Sequence, residues 1–395
     1  TVLADTIVGV VGAGAMGAGI AQVAATRGHH VILADSAAGA VARAKTGHQK
    51  ALDREVEKNR LSRRDADDAL ARITYVDGTG PEQMARFAPC GLVIEAIVER
   101  LEAKQTLFAA LESVVSPDAV LATNTSSLSV AAIGGGRTHP ERVVGIHFFN
   151  PAPVMPLVEI IPSIATSPLV SAAVRLLVDR WGKTTVLATD TPGFIVNRIA
   201  RPYYGESLRL LEEGFGDCAT IDWALTELAG FKMGPFALMD FIGNDVNFAV
   251  TSSVFEAMFF DPRYKPALTQ RRLVEAGLLG RKAGQGYYDH RPGAAATEPT
   301  RDPVRGHAIV DRVLAMLINE AADARLWNIA SADDIETAMT KGVNYPKGLL
   351  QWGDEIGPKV VLARLEALHA EYGEDRYRPS PFLRRVAAAG GSLLA

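Results

Sequence analysis

The chain has 395 residues, 48% of them hydrophobic and 22% charged, with a formal net charge of −4. A soluble globular protein of that length exceeds one ordinary core, so two or three domains are expected, and nothing in the charge favours a nucleic-acid or anionic-membrane partner. No apolar run approaches the ~20 residues of a membrane span, and two distant cysteines, Cys90 and Cys218, form no metal motif and fit a reducing, cytoplasmic setting.

Thr6 to Val11 predicts a strand, Ala15 to Arg27 a helix of small residues stopped by Gly28, and His30 to Ala34 a second strand closing on Asp35. The first strand begins almost at once, which leaves no room for a signal or transit peptide in the chain as it stands. Between strand and helix lies Gly12-Ala13-Gly14-Ala15-Met16-Gly17. In a dinucleotide-binding turn Gly12 permits the sharp bend, Gly14 lets the backbone approach a pyrophosphate, and Gly17 lets helix and strand pack closely. Free N–H groups at the helix start then face the phosphates. Asp35 can accept hydrogen bonds from a ribose 2′-hydroxyl and would repel a 2′-phosphate, so NAD is expected over NADP.

Residues 37 to 72 read as two charged amphipathic helices inserted in the Rossmann unit. Lys50, Arg54 and Lys58 recur every four residues and form a basic stripe. A solvated helix face and a landing surface for an anionic substrate tail both fit it. Leu92 to Ile97 predicts another strand, leading into Glu99 and a helix from Leu101 to Val115. Strand Val120 to Thr123 runs into Asn124-Thr125-Ser126-Ser127, where small polar residues cap a helix or touch ligand beyond a strand's carboxyl end.

Val143 to Ile146 then delivers His147 to a strand end. Pro151, Pro153 and Pro156 deny the following residues a helix, and Leu157 to Ile161 brings Glu159 back towards the histidine. A carboxylate that fixes an imidazole's tautomer makes a general base of it. A helix from Ser167 to Trp181 and a strand from Thr184 to Leu187 close the domain.

At Asp190-Thr191-Pro192-Gly193 the pattern changes to helices only. The expected organisation is an α/β Rossmann domain over 1–189, a first all-α unit over 190–290, a linker over 291–305 and a second all-α unit over 306–395. The second helical segment repeats the first without gaps: Arg198 meets Arg312, Glu206 meets Glu320, Gly234 meets Gly348, Asp240 meets Asp354 and Ile242-Gly243 meets Ile356-Gly357. Duplication and side-by-side packing explain such a match. Asn197 of the first copy becomes Asp311 in the second, so only the first copy is expected to serve an active site.

Assembled, these residues resemble the L-3-hydroxyacyl-CoA dehydrogenases over nearly the whole chain. The resemblance rests on Asn124 to Ser127, His147-Phe148-Phe149-Asn150-Pro151, Asp190 to Arg198 and Met233-Gly234-Pro235. It implies that His147 is the catalytic base and Glu159 its orienting partner, that Ser126 and Asn197 bind the substrate oxygen, and that Asn150 lies near the nicotinamide. Asp35 would hold the adenine ribose, and Glu99, Lys104 and Lys282 would also line the cofactor site. A coenzyme A contact of the family matches Lys58; a serine often used beside it is Ala51 here, and Pro156 stands where relatives commonly carry lysine. Further stretches, among them Ala200-Arg201-Pro202-Tyr203-Tyr204 and Tyr372 to Pro379, are similar to the 3-hydroxyadipyl-CoA branch of bacterial phenylacetate degradation, although those relatives tend to have a longer insert than Arg291 to Arg305. The expected reaction is NAD-dependent oxidation of a 3-hydroxyacyl-CoA, without a metal, by a homodimer joined through its helical domains. Arg201 lies one turn after Asn197 on the same helix face, where it can bind a terminal carboxylate or make an ordinary ion pair.

Overall fold

The computed structural model describes residues 5–395, which divide into two compact units, one ending at Thr191 and the other running from Pro192 to Ala395. The first unit is a single eight-stranded sheet flanked by helices. Its strands are β1 (Ile7–Val11), β2 (Val31–Asp35), β3 (Ile73–Asp77), β4 (Cys90–Glu95), β5 (Val120–Thr123), β6 (Val143–Phe148), β7 (Leu157–Pro162) and β8 (Thr184–Leu187), in spatial order 3-2-1-4-5-6-7-8. All neighbours pair in parallel except β6 and β7.

The core follows from the strands' apolar runs, which are buried on both faces as parallel strands must be. Val8, Val10, Leu33, Leu92, Ile94, Val144 and Ile146 pack with Ile20, Ala21 and Ala24 of α1 (Ala15–Thr26) and, farther along the sheet, with Val174 and Leu177 from the helix Pro168–Arg180. Each such Val, Leu or Ile contributes on the order of 1.5–3 kcal/mol by leaving water. The strand Ile73–Asp77 has no counterpart among the elements expected from sequence. It follows the two expected inserted helices, α2 (Ala40–Glu57) and α3 (Arg63–Ala71), and pairs with β2 at the sheet edge. Its Thr74 and Asp77 are exposed, so the five residues carry little apolar signal.

The second unit joins both helical segments in one compact body, where the sequence pattern suggests two domains. The first copy contains α4 (Val196–Ile199), α5 (Arg201–Glu212), α6 (Cys218–Trp223), α7 (Pro235–Ile242), α8 (Asn244–Ala257) and α9 (Leu268–Glu275). Residues 291–302 form no helix or strand. The second copy follows as α10 (Pro303–Leu326), α11 (Ala332–Gly342), α12 (Leu349–Ile356), α13 (Pro358–Tyr372) and α14 (Pro381–Ala389).

Equivalent residues do equivalent work. Asp222 accepts the backbone N–H groups of Phe236 and Ala237 at the start of α7, and Glu336 accepts those of Leu350 and Gln351 at the start of α12. One difference matters for the site. The second copy has a continuous helix, α10, where the first is broken between α4 and α5. Pro202 causes the break, because it lacks the N–H that would continue the ladder and sits instead in the first turn of α5.

The copies are held by a reciprocal exchange. Glu320 of the second copy accepts Arg198 Nε at 2.9 Å, Arg263 Nη1 at 3.3 Å and the Tyr264 hydroxyl, all from the first copy. Glu206 of the first accepts Arg312 Nε at 2.6 Å, Arg376 Nε at 3.1 Å and Tyr377 Oη at 2.8 Å, all from the second. Both glutamates are fully buried. This seam joins the two copies within the one body.

Candidate active site

His147 lies in β6 and Glu159 directly opposite in β7, in the antiparallel register of that pair. Facing residues of an antiparallel pair project to the same side, so the side chains meet. His147 Nδ1 and Glu159 Oε2 are 2.6 Å apart. Both groups are buried, and the Phe149 ring packs 4.5 Å from the imidazole. The proline-rich reversal between the strands is tied down by Lys183, whose ammonium donates to the carbonyls of Ala152 at 2.6 Å and Met155 at 2.8 Å. Burial, with Arg27 nearby, pushes that ammonium down to about 8. Asn150 is exposed two residues past the end of β6.

A second polar cluster occupies the carboxyl ends of β4 and β5. Glu99 Oε1 accepts Thr125 Oγ1 at 2.6 Å, Ser126 N at 2.9 Å and Ser127 Oγ at 3.0 Å. Burial pushes the Glu99 carboxyl up, but Lys104, Thr125 and the Ser126 N–H outweigh that and hold it below the usual range. Lys104 itself is 1% exposed, its ammonium 2.6 Å from Glu95 Oε1 and 3.1 Å from Glu99 Oε2. It therefore acts on this cluster by positioning Glu99. Glu95 has no site role in the sequence reading, and Asn124 appears there only within the polar stretch that follows β5. Glu95 also accepts Thr123 Oγ1 and the Ile97 N–H, and Asn124 Oδ1 accepts the Phe148 N–H at 2.8 Å, which ties the end of β5 to the strand carrying His147.

The glycine turn has the geometry a dinucleotide requires. Gly12 has φ +106°, and a Cβ there would lie 2.4 Å from the Ala96 carbonyl oxygen; a Cβ on Gly17 would lie 1.8 Å from that of Gly12. Around Gly14 nothing comes within 4 Å of such an atom, which leaves backbone open at the start of α1. Asp35 Oδ2 accepts the Ala13 N–H at 2.6 Å, so the acidic group borders the same turn. These residues fit a dinucleotide's pyrophosphate and ribose.

Of the remaining expected residues, Asn197, Arg201 and Lys282 make contacts of their own. Lys50, Arg54 and Lys58 are exposed along and just past α2, and among the described residues none has a carboxylate within ion-pair distance. In the second unit, Asn197 is in α4, and its carbonyl accepts Arg201 Nε at 2.8 Å. Lys282 pairs with Asp245 at 2.6 Å. Asp311, the counterpart of Asn197, pairs with Arg364 at 3.0 Å.

A dinucleotide turn and a buried His–Glu pair carried by β6 and β7 of the same sheet fit a nicotinamide-dependent dehydrogenase. Comparison with known proteins narrows this. Residues 7–191 match the 3-hydroxyacyl-CoA dehydrogenase NAD binding domain, and residues 193–290 and 308–392 match the C-terminal domain of that enzyme. The chain belongs to the 3-hydroxyacyl-CoA dehydrogenase family, whose members are NAD-dependent oxidoreductases. It is 40% identical to the 3-hydroxyadipyl-CoA dehydrogenase of Escherichia coli K12, over 96% of this chain and 97% of that one. A 3-hydroxybutyryl-CoA dehydrogenase of Bradyrhizobium diazoefficiens is also 40% identical, covering 74% of this chain and 98% of its own. The solved structure of a 3-hydroxybutyryl-CoA dehydrogenase from Escherichia coli K12 superposes with a TM-score of 0.91 at 38% identity, over 98% of each chain. No helix among the described residues is long and apolar enough to cross a membrane.

Proposed function

We propose that this NAD-dependent 3-hydroxyacyl-CoA dehydrogenase oxidises an L-3-hydroxyacyl-CoA whose acyl chain ends in a carboxylate, 3-hydroxyadipyl-CoA in phenylacetate breakdown. The supporting observation is the likeness to the 3-hydroxyadipyl-CoA dehydrogenase across both helical copies, whereas the Bradyrhizobium 3-hydroxybutyryl-CoA enzyme covers 74% of the chain. A second reading is 3-hydroxybutyryl-CoA, the substrate for which the solved Escherichia coli relative is named.

In the mechanism, His147 takes the proton of the 3-hydroxyl through Nε2, since Nδ1 faces Glu159. Glu159 holds the ring's tautomer and favours the imidazolium that forms. Ser126 and Asn197 donate to the oxygen as it gains negative charge, and so stabilise the transition state more than the ground state. Gly12, Gly14, Gly17 and Asp35 would hold NAD, which when bound would supply the hydride acceptor. Glu99, placed by Lys104, together with Asn150 and Lys282, orients the nicotinamide end, and Lys58 receives the coenzyme A tail at the head of the basic stripe. The enzyme works as a cytoplasmic homodimer. Its subunit interface uses surface outside the Arg–Glu seam, because the two copies already occupy that seam.

Initial rates with NAD on 3-hydroxybutyryl-, 3-hydroxyhexanoyl- and 3-hydroxyadipyl-CoA test the substrate. The expected order of kcat/KM has the adipyl thioester first, and a preference for butyryl would establish the second reading instead. For the cofactor, Asp35→Ala is expected to reduce the preference for NAD over NADP at least about tenfold. It should also lower kcat/KM with NAD, since the carboxylate anchors the Ala13 and Ala37 N–H groups. Equal kcat/KM for both cofactors in the unmutated enzyme would remove Asp35 from the ribose site.

A further inference from the structure

Five arginines are buried among the described residues: Arg142, Arg198, Arg201, Arg263 and Arg376. Four of them have a carboxylate within 4.0 Å: Glu112 for Arg142, Glu320 for Arg198 and Arg263, Glu206 for Arg376. Arg201, 6% exposed, has none among the described residues. Its Nε donates to the Asn197 carbonyl at 2.8 Å and its Nη1 to Thr251 Oγ1 at 3.0 Å, while the Tyr204 ring lies 4.9 Å from the guanidinium carbon. All three partners are neutral. A desolvated cation without a counter-charge is unfavourable, and an anion brought by a ligand would relieve that cost.

A group without a hydrogen-bond partner belongs to the aromatic cluster that adjoins Arg201. Tyr345 belongs to the second helical copy, in the turn between α11 and α12, and is 6% exposed. Its hydroxyl is buried without a hydrogen-bond partner. The ring is fixed against Phe231 at 5.0 Å and Tyr203 at 5.8 Å, both from the first copy. Tyr203 also packs 5.7 Å from Tyr204, whose ring lies over Arg201, so one aromatic cluster joins Tyr345 to the guanidinium. Burial pushes the Tyr204 and Tyr345 hydroxyls up, so both remain protonated donors at neutral pH. A guanidinium with an unspent edge, beside phenolic donors in an apolar wall, is a receptor for a carboxylate.

We propose that Arg201 and Tyr345 form the subsite for the carboxylate at the far end of the acyl chain, with Tyr345 supplied to the first copy's site by the second. This deepens the substrate reading above and rests on its assignment of Asn197 to the 3-oxygen. Arg201 follows Asn197 by four residues across the break between α4 and α5, and its guanidinium folds back to within 2.8 Å of the Asn197 carbonyl. In a six-carbon diacid the hydroxyl carbon and the terminal carboxyl are three bonds of about 1.5 Å apart, so the two functional groups suit two side chains four residues apart. The duplicated copy thereby becomes part of the specificity machinery, although its own Asp311 is spent on Arg364.

The test is the ratio of kcat/KM for 3-hydroxyadipyl-CoA to that for 3-hydroxyhexanoyl-CoA in the native enzyme, Arg201→Leu, Arg201→Lys and Tyr345→Phe. Arg201→Leu is expected to lower the ratio roughly 10- to 100-fold and Arg201→Lys by less, as one charged hydrogen-bonded contact is removed or weakened. Tyr345→Phe is expected to lower it roughly 3- to 10-fold with no fall in melting temperature, because its hydroxyl has no internal partner to lose. That variant decides the matter if Arg201→Leu does not fold. A native enzyme without preference for the diacid overturns the substrate reading. A native preference that survives Arg201→Lys and Tyr345→Phe, or a proportional fall on both substrates, overturns the subsite and makes Arg201 a clamp between α5 and Thr251.

Discussion

Replacing His147 with glutamine is expected to lower kcat by at least about 100-fold while NADH affinity stays within a few-fold. Glutamine keeps the reach and a hydrogen bond to Glu159 but cannot take up a proton, and a positioned general base contributes about 10²–10⁴ in rate. The residue is in contact with Glu159 and Phe149, and the glycine turn on the same sheet is built from other residues, so cofactor binding has no reason to fall with it. A loss in kcat with unchanged binding marks an interaction made in the transition state. Steady-state rates with a 3-hydroxyacyl-CoA, beside a fluorescence titration with NADH, separate the two. Glu159→Gln is expected to be damaging to a similar degree, because the fully buried carboxylate fixes the ring that does the work. Near-native kcat in the His147 variant would take the histidine out of the mechanism.

The parts of this site that are legible in the sequence are those whose spacing is local. The glycines of the turn stand within six residues, and at Gly12 and Gly17 the backbone contacts leave no room for a Cβ. His147 and Glu159 are twelve positions apart across a proline-stiffened reversal, and the strands return in register. The repeat is legible because Arg198, Glu206, Gly234 and Asp240 recur at one constant offset. What the sequence does not disclose depends on tertiary pairing. Similarity between copies says nothing of contact, so the exchange in which each copy's glutamate is held by the other's arginines is invisible in it. Lys104 looks like a polar helix residue, yet its ammonium is closed between Glu95 and Glu99. For Arg201 the sequence allows either an acyl-chain contact or an ion pair. The structure shows no carboxylate at ion-pair distance among the described residues, and Tyr345, 144 positions away, cannot be assigned to it by spacing. The strand Ile73–Asp77 escapes sequence patterning because an edge strand of five residues, two of its side chains exposed, shows little periodicity.

The seam between the helical copies leads to the largest stability effect. Glu206→Gln is expected to destabilise the second unit by ~3–5 kcal/mol, because it leaves the Arg376 guanidinium buried with no other carboxylate at ion-pair distance among the described residues. Glu320→Gln should do the same through Arg198, although Asp323 still neutralises Arg263 and softens the loss. For a unit of this size about 1 kcal/mol lowers the melting temperature by roughly 2–4 °C, so a fall of roughly 6–20 °C is expected in the calorimetric transition of that unit. The magnitude reflects the cost of stranding a charge and not the net worth of the network, since desolvating the ions opposes their attraction. The distinction can be measured. Replacing Glu206, Arg312 and Arg376 together with methionine removes every charge that would be stranded there and leaves Glu213 to Arg209. The triple variant should therefore recover much of the stability lost by Glu206→Gln alone. If it does, the seam's ions specify how the copies register against one another, and apolar contacts supply the strength of the joint. Single variants that melt within about 1 °C of the native protein would mean that water or rearrangement reaches these guanidinium groups, and the seam would not be the tight joint its geometry describes.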